Sequence, residues 1–322
     1  VIAVNGLTAA AMRKPSVHTN KPRTLLRKMI RYRFLYLLAA PTVIYFILFK
    51  YVPMWGILIA FQDYSPWLGF WNSEWIGFQQ FIHFFGYDDF WILLRNTLGI
   101  SLLNLILYFP APIILALLLN EVGKEGFKRV VQSIVYLPHF LSWVVVVSFT
   151  YFFLSIDMGI VNKALVAFGY EPVSFMTNSH TFWLLLVMQS IWKEVGWGTI
   201  IYLAAISAVD VQLYEAAHVD GANRFRKLWH ITLPGIKGTI AIMLILRLGN
   251  IMDIGFEHIF LMQNALVMPV ADVFDTFVYR LGIVQGRFSY STAVGLFQSV
   301  VGIILVVSAN KISKMLGEES LY

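Results

Sequence analysis

Five ionisable residues stand inside apolar runs of this chain: Lys193 and Glu194 in one, and Arg247, Asp253 and Glu257 in another. A charge surrounded by apolar groups is costly, so it either pairs with an opposite charge or faces a polar pathway. Lys193 and Glu194 are adjacent and are not expected to share a helix face. Asp253 and Glu257 are four apart and are expected to share one. One reading is a structural ion pair between helices, with Glu194 and Arg247 as its candidates. The other is a polar pathway that these groups line. Glu257 stands nearer a span end, within reach of water. Trp192 and Trp197 flank the charged pair, with Gly196 and Gly198 between and beside them. Glycine permits close helix approach or a local break. Tryptophan either packs and anchors at an interface or stacks on a sugar ring.

Catalytic chemistry is not visible. The Gly-Lys-Glu-Gly-Phe-Lys run at 123–128 lacks both the spacing and the Lys-Ser/Thr ending of a phosphate-binding loop. His-Glu-x-x-His and Gly-x-Ser-x-Gly are missing. Without cysteine there are no disulfides and no thiolate metal sites. No enzyme activity, metal or cofactor is expected.

One long polar, basic stretch interrupts the apolar second half. It contains Glu215-Ala216-Ala217, three residues, Gly221, nine residues, then Ile231-x-Leu233-Pro234. Asp210 is a good N-cap for a short helix from Val211. Gly221, after Asp220, supplies the left-handed residue that ends it. A second short helix is expected over about 222–229, with Pro234 stopping it before the next apolar run. The result is a helix-turn-helix knob with a small-residue face.

The elements that position these residues follow from composition. The 322 residues are 58% hydrophobic and only 13% charged, against about 25% charged in soluble domains. This is the composition of an all-α, polytopic membrane protein. Six spans are expected, at about 34–52, 96–119, 131–154, 181–206, 238–262 and 291–311. Prolines 110 and 112 predict a kink in the second. The connection at 53–95 is too polar to span and is dense in aromatics, which fits an interface belt or a docking surface. The first apolar run is long enough to stay as a span, so no cleavable signal is expected. The net charge of +6 does not call for nucleic acid. Seventeen of the 24 Lys and Arg lie in the 1–33 tail, the 120–130 loop, the 207–237 loop and the C-terminus. By the positive-inside rule those segments are cytoplasmic. This gives a basic tail over 1–33, a membrane domain over 34–312 and a cytoplasmic C-terminus over 313–322.

With seven fixed identities at fixed spacing, the polar stretch resembles the coupling loop of ABC importer permeases. Beyond it, Trp192-Lys193-Glu194-Val195-Gly196-Trp197 and Ile201-Tyr202-Leu203-Ala204-Ala205 are similar to sugar-importer permeases. Asp272-Val273-Phe274-Asp275-Thr276-Phe277-Val278-Tyr279-Arg280, Ala293-Val294-Gly295-Leu296-Phe297 and Ala309-Asn310-Lys311-Ile312-Ser313 look like the branch importing polysaccharides, including alginate. The resemblance implies a permease in the bacterial inner membrane, working with a second related permease, two ATPase subunits and an extracytoplasmic binding protein. It implies that Glu215, Ala216, Ala217, Asp220 and Gly221 form the contact with the ATPase. The cargo would be a saccharide, the aromatic loop would face the binding protein, and membrane lipid would surround the spans. Two readings from other classes compete: a secondary transporter, which calls for inverted repeats, and a membrane scaffold with no ATPase partner.

Overall fold

The computed structural model describes Lys28 and residues 30–315. Most of the basic tail, and residues 316–322 of the C-terminus, lie outside the described residues. The chain divides into two compact units, Val1–Trp55 and Gly56–Tyr322. In the first, α1 (Arg33–Phe46) carries Pro41 and buries none of its side chains.

In the second unit the main helices are α2 (Phe90–Leu103), α3 (Pro110–Glu121), α4 (Glu125–Tyr136), α5 (Trp143–Leu154) and α6 (Phe182–Ser207). They continue with α7 (Val211–Val219), α8 (Arg224–Lys227), α9 (Lys237–Gly249), α10 (Phe256–Met262), α11 (Phe274–Tyr279) and α12 (Phe288–Met315). The expectation of an all-α chain needs one amendment. A two-residue antiparallel ribbon pairs β1 (Gln62–Asp63) with β2 (Glu74–Trp75), Gln62 opposite Trp75.

Three continuous helical stretches are long and apolar enough to cross a membrane: Arg33–Phe61, Phe90–Glu121 and Phe288–Met315. Three more candidates are bent pairs. Glu125–Phe140 meets Trp143–Leu154 at 104°, Phe182–Ser207 meets Val211–Val219 at 69°, and Arg224–Gly235 meets Lys237–Gly249 at 58°. The expected third and fifth spans are therefore corrected. The third is broken because Pro138 opens a 3₁₀ turn (Leu137–Phe140) and Ser142, in extended conformation, caps α5 through Val145 N. The fifth ends at Gly249, and helix resumes at Phe256 only after Gly255, whose φ is +97°.

At Pro110, where a kink is expected, the helix carries a widened turn. Phe109 N donates to Asn104 O, closing a π turn (Asn104–Tyr108) directly ahead of the proline. The same device precedes Pro53, where Val52 N reaches Ile47 O, and Pro234, where Leu233 N reaches Leu228 O. A proline offers no N–H and its ring crowds the carbonyl four residues back. A π turn shifts the bonding by one residue and lets the helix run on. Pro234 accordingly sits inside a continuing helix and does not stop it; the break falls at Ile236.

The aromatic connection at 53–95 divides by burial. Phe84 is fully buried and packs with Phe90, Phe274, Tyr290 and Phe297. Trp67, Trp71, Trp75 and Trp91 remain exposed. A second apolar cluster joins Ile100, Phe182, Leu186, Ile259 and Met262, and a third joins Ala116, Tyr202, Ile206 and Ile236. α6 takes part in both and is the central helix of this unit.

Candidate functional site

The knob is built by local bonds that the sequence encodes. Asp210 Oδ1 accepts from Gln212 N at 2.9 Å and starts α7. At its end Gly221 takes φ +72°. Ala222 N donates to Ala217 O at 2.8 Å, and Gly221 N to His218 O at 3.1 Å. These two bonds are a Schellman closure, which favours glycine at this position. Asn223 Oδ1 then accepts from Arg226 N at 2.9 Å to open α8. Tyr214 Oη and Thr232 Oγ1, 2.9 Å apart, tie the two arms together. Glu215, Ala216 and Asp220 are exposed, and Ala217 is half-buried. Glu215 forms no ion pair among the described residues.

The charged pair on α6 is arranged differently from the expectation. Lys193 and Glu194 do meet, Nζ to Oε1 at 2.9 Å. Their long side chains converge on one partner although their Cα atoms point apart. Glu194 Oε2 lies 2.6 Å from His139 Nδ1, and Lys193 Nζ donates to His139 O at 2.8 Å. The partner of Glu194 is thus His139 and Lys193, not Arg247. Lys193 is 6% exposed. Trp197 stacks on the His139 ring at 4.3 Å with planes 3° apart, and it remains as half-exposed as Trp192. Gly196 lets α4 approach: a Cβ there would lie 2.0 Å from Val135 O.

The network extends across the break in the third span. Trp143 stacks on His258 at 3.8 Å. His258 Nε2 is 2.7 Å from Gln189 Oε1, and Gln189 Nε2 donates to Thr150 Oγ1 at 2.6 Å. Sequence reasoning missed His139 and His258. The available signal was the same one used for Lys193: a titratable group inside an apolar run.

The break in the fifth span is held by side chains from three other helices. Ser101 Oγ donates to Ile251 O, Gln298 Nε2 to Met252 O, and Ile254 N donates to Asp275 Oδ2. Non-helical backbone at span depth persists only where its polar groups are satisfied in this way. Asp253 lies in the break, with Oδ1 accepting from Gly255 N. Glu257 lies on α10 and is exposed. The two acids therefore do not share a helix face. Arg247, near the end of α9, places its guanidinium 5.2 Å from the Tyr108 ring. It has no carboxylate partner among the described residues. Outside the spans, Asp272 binds Arg280 through two bonds of 3.1 and 2.6 Å. Those bonds push the Arg280 guanidinium above its ordinary value.

Among the described residues no group of His, Asp and Glu is placed to hold a metal ion. What this arrangement offers is a polar, hydrogen-bonded interior within apolar helices, together with an exposed knob.

Comparison with known proteins agrees. Residues 108–316 match the family described as binding-protein-dependent transport system inner membrane component. Protein LplB of Bacillus subtilis (strain 168) is 54% identical over 96% of this chain and 97% of its own length. The polygalacturonan/rhamnogalacturonan transport system permease protein YteP of the same organism is 54% identical over 94% of each chain. A crystal structure of a bacterial ABC transporter involved in import of the acidic polysaccharide alginate aligns with TM-score 0.84 and 41% identity, covering 91% of this chain and 99% of that one. A second, of a bacterial alginate ABC transporter in complex with alginate pentasaccharide-bound periplasmic protein, aligns with TM-score 0.86 and 40% identity, covering 92% and 99%. These matches displace the secondary-transporter and scaffold readings. The chain belongs to the inner-membrane components of binding-protein-dependent transport systems, as a multi-pass sugar permease of the ABC type and not an enzyme.

Proposed function

We propose that this permease forms half of the pathway of an ATP-driven importer for acidic oligosaccharides. A second, related permease forms the other half, two copies of an ATPase supply the energy, and an extracytoplasmic binding protein delivers the cargo. The observation that carries the coupling role is the closed knob. Its Schellman turn at Gly221 and its exposed Glu215-Ala216-Ala217 face make a rigid projection on the side where the Lys and Arg of the loops gather. That side faces the cytoplasm and ATP, as do both termini. The broken third and fifth spans give the membrane domain, over 34–312, polar groups at depth from which a pathway can be lined. The exposed tryptophans of the 53–95 connection fit the face that receives the binding protein.

The acidic character of the cargo rests on chemistry shared by two kinds of relative. YteP is named for polygalacturonan, and the aligned crystal structures are of alginate importers. Both polymers carry a carboxylate on the sugar ring. Alginate is the narrower reading and uronate oligomers the one the relatives share. The test is reconstitution of the complete complex with the binding protein loaded with uronate oligomers or with neutral glucans of equal length. ATPase stimulation and uptake are expected with uronates. Stimulation by neutral glucans alone would remove the acidic cargo, and uptake without any ATPase would remove the importer.

A further inference from the structure

We infer that the groove between α3 and the second arm of the knob binds an anionic phospholipid, with one acyl chain along its apolar wall and the phosphate at Arg224. This goes beyond the importer reading and does not depend on the cargo.

The groove begins with residue spacing on α3. Ile114, Leu118 and Glu121 follow one another at intervals of four and three, so they form one stripe down the helix. The other side of α3 is already used: Ala116 packs with Tyr202 and Ile206 of α6, and Leu119 is buried. Phe225 and Leu228 form the facing wall, and Arg224 stands with Glu121 at the polar end. Phe225 is 83% exposed, and Ile114 and Leu118 are exposed with it. Such a wall is costly in water and at home against hydrocarbon.

Position along the span says what covers it. α3 closes a stretch long and apolar enough to cross a membrane, Phe90–Glu121. Glu121 therefore lies where hydrocarbon gives way to headgroups. The stripe from Glu121 back to Ile114 runs about 10 Å toward the bilayer centre. The groove has a volume of about 280 Å³. An α-helix, about 10–12 Å across, does not enter a space of that size, whereas a single acyl chain does.

Charge selects the headgroup. The stretches 121–129 and 224–227 carry six cations, Lys124, Lys128, Arg129, Arg224, Arg226 and Lys227, against two acids, Glu121 and Glu125. Glu125 is engaged by Arg129 at 3.2 Å. Arg224 Nη1 lies 3.9 Å from Glu121 Oε2, too far for a hydrogen bond, and the arginine side chain is 82% exposed. Its planar fork is thus open to two phosphate oxygens. A basic rim on a groove between membrane helices suits an anionic headgroup. A zwitterionic lipid would bring a further cation into this excess.

The experiment reconstitutes the complete complex in phosphatidylcholine vesicles. These contain a trace of phosphatidylglycerol, or of phosphatidylcholine, with a photoactivatable diazirine on one acyl chain. After irradiation the labelled residues are located by mass spectrometry of peptides. The phosphatidylglycerol probe is expected to label 114–118 and 225–228, and the phosphatidylcholine probe to label them about fivefold less. Arg224→Gln should lower labelling by phosphatidylglycerol about fivefold, the factor one basic residue near an anionic lipid is worth, and Arg224→Lys should keep most of it. Equal labelling by the two probes would make the groove an ordinary bilayer contact and overturn the inference. Absence of label from both would mean that another protein chain covers the groove, and would overturn it too. Undiminished labelling in Arg224→Gln would remove the phosphate contact, with the same consequence. Should Arg224→Gln not assemble, the comparison of the two probes on the unaltered complex decides.

Discussion

His139, Lys193 and Glu194 form a closed triangle in which each member satisfies the other two. Removing one partner of a buried pair strands the other, at about 3–5 kcal/mol when burial is complete. Glu194 keeps 25% side-chain exposure, so a smaller loss is expected for Glu194→Gln. His139→Ala and Glu194→Gln should be non-additive, with a coupling of about 0.5–3 kcal/mol, read as melting temperatures in a double-mutant cycle. The cycle of Arg247→Gln with Glu194→Gln should show the smaller coupling, because those side chains share no bond. The reverse ranking would mean that the pair runs between α6 and α9 after all. Gly196 is a second residue-scale constraint. Its missing Cβ is what lets the Val135 carbonyl approach, and the obstacle is backbone, which cannot rotate away. Gly196→Ala is expected to cost about 1–3 kcal/mol; a melting temperature equal to wild type would contradict the close approach.

At the scale of elements, the broken fifth span depends on side chains that are not its own. Ser101 is 8% exposed and bonds the Ile251 carbonyl. Ser101→Ala leaves that carbonyl unsatisfied, at an expected cost of about 1–3 kcal/mol. An unchanged melting temperature would show that the break satisfies itself. The knob depends on one turn. Gly221→Ala meets no steric neighbour, since nothing lies within 4 Å of the added atom, and it is penalised only through the positive φ. That strain is about 1–3 kcal/mol. Gly221→Pro is more severe: it cannot adopt φ +72° and it deletes the N–H that closes on His218. The spans should fold, while attachment of the ATPase or its stimulation by loaded binding protein falls. Glu215→Ala should show the same direction more weakly. Normal stimulation in an intact Gly221→Pro complex would exclude the knob as the coupling element.

For the whole molecule, the proposed orientation of the spans rests on the distribution of Lys and Arg. Gln212, on the knob, and Glu171, in the connection before α6, are both exposed. A cysteine at Gln212 should be labelled only from the cytoplasm and one at Glu171 only from outside. The chain has no native cysteine to interfere. Labelling of Gln212→Cys from outside would invert the topology and with it the proposed contact to an ATPase. Purification of the whole assembly should bring down an ATPase and a second permease of the same family; a chain that purifies alone, yet transports, would contradict the division of labour.

The sequence by itself determined whatever depends on composition and on short-range bonding. Apolar content announced the membrane class. α6, over Phe182–Ser207, falls where an unbroken apolar run predicts it. The knob is legible almost atom by atom, because an Asp cap, a glycine at positive φ and an Asn cap all act within a few residues of themselves. Pro138 and the 250–255 break were less legible, since an apolar run reads as one helix until other helices supply bonds to the interrupted backbone. Pro234 misled in the opposite sense, because a π turn absorbs a proline without breaking the helix at that residue. Only the tertiary structure decided the pairings. Several basic residues of the apolar runs are candidate partners for Glu194, and spacing along the chain does not say which helix comes close. That choice was made by Gly196, which admits the carbonyl of Val135 and so brings α4, and His139 beyond it, against α6. Arg247 was left beside Tyr108 for the same reason: burial and partnership are properties of the packed helices, and no single helix contains them.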